Sequence, residues 1–189
     1  MNNIIEKYFE KKILPVVPVE EKSDALPVAK AILKGGLNVM EIPFRTELTS
    51  ESINEIRENL DDIIVGAGTI LTVDQVHEAQ KAGAQFGLAP GLNPEVVREA
   101  RKLNFPFIPG VMTPSNIEQA LSLECKILKL FPANQIGGSD MIKALSGPYS
   151  HTELRFIPMG GINNSNLLQY LDYPNVLAAG GSWLASKEL

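Results

Sequence analysis

A lysine stands in the middle of an apolar, strand-forming run, Lys126-Ile127-Leu128-Lys129-Leu130-Phe131-Pro132-Ala133. Successive side chains of a strand point to opposite faces. Ile127, Lys129 and Phe131 therefore share one face, and Leu128 and Leu130 the other. If the leucines pack on helices, Lys129 points into a barrel or cleft. Desolvation there disfavours the ammonium and favours the free amine. A neutral amine attacks carbonyl carbon and condenses to a Schiff base. Read alone, the run fits better a plain edge-strand lysine that snorkels to water.

A second charged residue, Glu41, sits in another apolar run, Val39-Met40-Glu41-Ile42-Pro43-Phe44. Pleat parity puts it on the face of Val39. An inward carboxylate needs a partner, and Lys129 is the available cation. Such a pair is either structural or catalytic. In the catalytic reading Glu41 is a general acid/base that moves protons for an imine on Lys129. Arg45 follows on the same segment, where its fork suits a substrate carboxylate; the plain alternative is a surface arginine paired with Glu47. Two glycine pairs, Gly160-Gly161 and Gly180-Gly181, the latter followed by Ser182, suit a phosphate held by backbone N–H groups, though a lone Gly-Gly is more often a tight turn.

These residues need elements to place them, and the chain alternates apolar runs with helical patterns throughout. Strands are predicted over 13–19, 38–44, 63–70, 85–90, 105–112, 126–131, 154–159 and 176–180. A helix over 3–11 precedes them. Helices over 24–33, 50–60, 72–82, 94–103, one opening at Thr113-Pro114, 139–145 and 164–171 separate them. Thr72-Val73-Asp74-Gln75 is a capping box, and Asn93-Pro94 and Thr113-Pro114 pair an N-cap with proline at the first helical position. Strict alternation implies parallel strands joined by helical crossovers. Eight units closing on themselves give a short α/β fold, a (β/α)8 TIM barrel, as a single domain over 1–189. The chain leaves no room for a full eighth helix, so that helix is missing or truncated; the N-terminal helix or a partner subunit is expected to cover the gap.

Barrels of this type carry their active sites at the C-terminal ends of the strands. Those ends present Glu41, Arg45, Thr69, Pro90, Lys129, Phe131, Gly160, Gly161, Gly180, Gly181 and Ser182. The glycine pairs fall after the last two strands, where such barrels build phosphate sites. Neither histidine is at a strand end: His77 falls on a helix and His151 in a loop. No group of residues has metal-ligand spacing, and covalent catalysis by lysine requires neither metal nor other cofactor.

Composition excludes other classes. The chain has 189 residues, 44% hydrophobic and 21% charged, with a formal net charge of −5 and one cysteine. The absence of a basic patch argues against nucleic acid as a partner. No apolar run approaches the ~18 residues of a membrane span, and the first residues lack the apolar core of a signal peptide. Cys125 opens an apolar strand and reads as a core residue in a reducing, cytoplasmic setting.

The motifs together resemble one family. Glu41-Ile42-Pro43-Phe44-Arg45-Thr46, Gly66-Ala67-Gly68-Thr69, Ala89-Pro90-Gly91, Pro109-Gly110, Lys129-Leu130-Phe131-Pro132-Ala133, Gly160-Gly161-Ile162 and Gly180-Gly181-Ser182-Trp183 are similar, in order, to the 2-keto-3-deoxy-6-phosphogluconate (KDPG)/4-hydroxy-2-oxoglutarate aldolases. The resemblance implies a class I aldolase, usually a homotrimer, that cleaves a phosphorylated keto sugar acid to pyruvate and glyceraldehyde 3-phosphate, with 4-hydroxy-2-oxoglutarate as a further substrate to consider. By position it makes Lys129 the Schiff-base lysine and Glu41 the general acid/base. Arg45 and Thr69 hold the pyruvate carboxylate, Pro90 and Phe131 wall the pocket, and Gly160, Gly161, Gly180, Gly181 and Ser182 line the phosphate end. One departure is Met159, where many members carry a threonine whose hydroxyl meets the substrate; the short C-terminus is another. Alternatives are a sister aldolase for the galactonate-derived substrate, a phosphate-binding isomerase or epimerase, and a non-catalytic barrel scaffold. The isomerases that use a metal or paired acids would need His or Asp at strand ends.

Overall fold

A computed structural model of the chain describes residues 2–185. The strands are β1 (Ile13–Pro15), β2 (Val39–Pro43), β3 (Ile64–Gly68), β4 (Phe86–Leu88), β5 (Phe107–Ile108), β6 (Gly110–Val111), β7 (Ile127–Leu130), β8 (Arg155–Pro158) and β9 (Ala179–Gly181). The strand pairings among the described residues are all parallel: β2-β3-β4-β5, β6-β7-β8 and β9-β1. Isolated bridges Val16–Glu41, Phe156–Val176 and Met159–Gly180 join the remaining neighbours. β5 and β6 are one strand interrupted at Pro109, whose ring nitrogen has no hydrogen to give a ladder. At the break, Gly110 N–H donates to the Gly91 carbonyl at 3.0 Å. The ring closes as eight strands, and the fold is the (β/α)8 barrel expected from the alternation.

Helices α1 (Asn2–Tyr8), α2 (Ala25–Lys34), α3 (Thr49–Asn59), α4 (Val73–Lys81), α5 (Pro94–Lys102), α6 (Pro114–Ser122), α7 (Gly138–Tyr149) and α8 (Leu167–Leu171) complete the chain. Their starts follow local chemistry. Thr72 caps α4 in a full capping box, Asn93 accepts from Glu95 N–H with Pro94 behind it, and Thr113 caps α6. After β9 there is a single 3-10 turn, Ser182–Ala185. What the sequence places beyond that turn lies outside the described residues.

Among the boundaries that differ from the sequence expectation, three have a readable local cause. β1 is shorter than 13–19, because prolines 15 and 18 withhold two ladder donors. α7 runs through Gly147 and Pro148 to Tyr149 instead of stopping at 145. Ala144 and Pro148 are both exposed, so the Ala144 carbonyl deprived of its backbone donor can take water. α8 starts at Leu167 instead of 164. Asn163 accepts from Ser165 N–H and Asn166 accepts from Asn163 N–H, both at 2.9 Å, and these local bonds compete with the first helical turn.

Two apolar layers follow from pleat alternation. Leu128, Leu130, Met40 and Ile42 pack outward under the helices. Ile127, Val39, Leu88, Ile108, Ile157 and Met159 fill the interior. Ile5 and Phe9, from α1 and the turn after it, belong to that interior layer, and Phe9 meets Phe86 edge-on with ring centroids 5.6 Å apart. The N-terminal segment therefore plugs the lower mouth of the barrel and does not fill the place of an eighth helix. Phe9 is 1% exposed, and Phe9→Ala is expected to cost about 3–5 kcal/mol of stability, measured by urea unfolding.

Candidate active site

β2 and β7 each deliver one charged side chain to the barrel interior. Their outward neighbours, Met40 and Ile42 on one strand and Leu128 and Leu130 on the other, are fully buried beneath helices. That fixes the strand faces and turns Glu41 and Lys129 inward. Lys129 is flanked across the sheet by Gly110 and Ile157. Its ammonium lies 4.0 Å from Glu41 Oε1 and 5.3 Å from the centre of the Phe131 ring, within cation–π range. Among the described residues Glu41 and Lys129 are the buried charged side chains, 1% and 5% exposed. Glu41 Oε2 has no hydrogen-bond partner. The pair is thus close enough to compensate but too long to be a closed hydrogen bond, and one carboxylate oxygen stays available.

The other predicted residues surround this centre. Thr69 follows β3, half-buried, with φ at 56°. Pro90 lies beyond β4, half-buried, its carbonyl against the strand break at Gly110. Phe131 continues β7 through a cis bond to Pro132, and its ring covers Gly160. Gly160 and Gly161 take φ of 95° and 72°, values that disfavour any other residue. Gly180 packs against Met159 and the Leu14 backbone, and the ring of Trp183 lies over Gly181. Trp183 Nε1 donates to Asn164 Oδ1 at 3.0 Å, tying the loop after β8 to the turn after β9, where Ser182 is exposed. The two glycine pairs thus form one continuous edge of the upper mouth.

Arg45 stands apart from the buried pair. It is exposed on the rim, in a groove of about 430 Å³ shared with Phe44, Thr46, Glu47, Gln75 and Glu78. No ion pair to Glu47 forms among the described residues. A larger groove, about 810 Å³, opens at the lower ends of β7 and β8 and includes neither Lys129 nor Glu41. Cys125 is buried and burial pushes its thiol up to about 11, as befits a core residue. No group of three His, Cys, Asp or Glu positioned for a metal occurs among the described residues, and no helix there is long and apolar enough to cross a membrane. Sequence reasoning gave Gly68 no role, although its inward parity beside Thr69 was readable.

A (β/α)8 barrel with a lysine buried beside a glutamate at the upper ends of its strands is a site built for carbonyl chemistry. Residues 4–189 match the aldolase family described as KDPG and KHG aldolase, and the chain belongs to that family. It is 46% identical over 186 residues, 98% of this chain and 87% of the relative, to the 2-dehydro-3-deoxy-phosphogluconate aldolase of Haemophilus influenzae. The crystal structure of the 2-keto-3-deoxy-6-phosphogluconate aldolase of Zymomonas mobilis ZM4 with 3-phosphoglycerate superposes with a TM-score of 0.93 at 34% identity, covering 99% of this chain and 88% of that one. The KDPG aldolase of Legionella pneumophila, with pyruvate captured at low pH as a covalent carbinolamine intermediate, gives 0.91 at 36% identity, covering 96% and 87%.

Removing one member of a buried charge pair leaves the other uncompensated, at a cost of about 3 kcal/mol. Lys129→Met is expected to lose that much in urea unfolding, and Lys129→Met with Glu41→Gln to recover most of it.

Proposed function

We propose that the chain is a class I aldolase that cleaves 2-dehydro-3-deoxy-6-phosphogluconate to pyruvate and D-glyceraldehyde 3-phosphate through a Schiff base on Lys129. One observation carries the reading: Lys129 is buried inside the barrel, 4.0 Å from Glu41. The relatives' names and the pyruvate carbinolamine of the Legionella enzyme support it.

The Lys129 amine attacks C2 of the substrate, and loss of water from the carbinolamine leaves a protonated imine. Glu41, through a water, takes the proton of the C4 hydroxyl. The C3–C4 bond breaks, its electron pair flows into the imine, and the aldehyde departs. The enamine that remains is protonated at C3, and water hydrolyses it from Lys129 to release pyruvate. Arg45 and Thr69 receive the pyruvate carboxylate, Pro90 and Phe131 shape the walls, and Gly160, Gly161, Gly180, Gly181 and Ser182 receive the phosphate. Nothing in this sequence calls for a metal or other cofactor. A cytoplasmic single-domain protein acting as a homotrimer belongs to the same proposal.

Met159 favours a second reading, the sister aldolase for the galactonate-derived substrate. It is 3% exposed in the interior layer, its terminal methyl against Gly180, and supplies a thioether where many members of the family carry a hydroxyl. The ratio of kcat/KM for the two phosphorylated sugar acids decides between them.

Borohydride reduction in the presence of pyruvate is expected to fix a stable adduct on the Lys129 peptide, absent in Lys129→Ala. Lack of an adduct at any pH from about 6 to 9 would sink the Schiff-base mechanism and return the scaffold reading to the front. Arg45→Ala is expected to raise KM about 10- to 100-fold, the effect of one lost charged hydrogen bond, in steady-state assays.

A further inference from the structure

We infer that Gly68 is a positioning residue for Glu41. A Cβ at residue 68 would lie 1.7 Å from Glu41 Oε1, 2.4 Å from Cδ and 2.7 Å from Cγ. The carboxylate therefore occupies the volume that any side chain at residue 68 would take.

Backbone conformation does not require this glycine. The left-handed φ falls on the next residue, Thr69, at 56°, and Gly68 itself is outside that region. Space is what the glycine supplies. Neither strand can retreat to restore it. Gly68 pairs in register with Pro43, and its carbonyl accepts from Phe44 N–H at 2.8 Å. The Glu41 backbone is held on its other side, where its carbonyl accepts from Val17 N–H at 2.8 Å. With both main chains tied, the freely movable part is the carboxylate. A methyl group at residue 68 would force it to move by more than about 1 Å, and a displacement of that size from a catalytic geometry costs on the order of 100-fold in rate. Gly68 thus sets where Glu41 stands relative to Lys129, although it touches no reacting atom.

This inference rests on the proposed Schiff-base reading, and two assays separate them. Borohydride trapping of pyruvate reports the Lys129 amine. Exchange of the pyruvate methyl protons with deuterated water, followed by NMR, reports the proton transfers assigned to Glu41. For Gly68→Ala, trapping is expected to persist while exchange and kcat fall about 100-fold with KM within about threefold. Adding Glu41→Asp withdraws the carboxylate by one methylene and is expected to restore exchange at least about tenfold over Gly68→Ala, whereas Glu41→Asp alone lowers it. Exchange in Gly68→Ala within about threefold of wild type overturns the inference, as does a double variant no better than Gly68→Ala. If Gly68→Ala fails to fold, a folded and trapping double variant supports the same clash, and a double variant equally unfolded overturns it. Wild-type protein that traps no pyruvate refutes the Schiff-base reading itself.

Discussion

The structure depends on placing an ammonium and a carboxylate inside an apolar barrel. Each ion alone would face a desolvation cost of several kcal/mol there. Lys129 and Glu41 offset part of that cost for one another at 4.0 Å. A closed ion pair would compensate better; the surrounding architecture holds the observed separation. Buried leucines and isoleucines fix the outer faces of both strands, and interior aliphatic side chains fill the space below.

Rigidity at the centre contrasts with the construction of the rim. The edge formed by the two glycine pairs is backbone in character and tied by the Trp183–Asn164 bond. The rim above β2 carries the exposed Arg45, which forms no ion pair among the described residues. Covalent chemistry needs a fixed amine and base, whereas recognition of a flexible sugar acid tolerates adjustable contacts.

Much of this was legible in the sequence because one pattern controls it. Alternation in Ile127-Leu128-Lys129-Leu130-Phe131 specifies which residues face inward, and the same parity places Glu41 with Val39. Caps at Thr72, Asn93 and Thr113 were equally readable, since a cap is a local hydrogen bond. What escaped was non-local or competitive. The extension of α7 past Gly147 and Pro148 overrides the local helix-breaking signal. The late start of α8 reflects competition from asparagine side chains that propensity ranks only weakly. The space-making role of Gly68 exists only once two strands are set side by side, and the plugging action of Phe9 depends on a ring nearly eighty residues away, Phe86.

The plug at the lower mouth bears on the order of events during turnover. With Ile5 and Phe9 buried in the interior layer, the lower end of the barrel is packed with side chains. In the proposed mechanism the half of the substrate bonded to Lys129 would lie deepest, and the phosphorylated half would lie between it and the rim. The aldehyde would then leave first, and the water that hydrolyses the imine formed by protonation of the enamine would enter by the path the aldehyde has vacated. In the condensation direction the same mechanism would impose the reverse order, with pyruvate bound before the aldehyde.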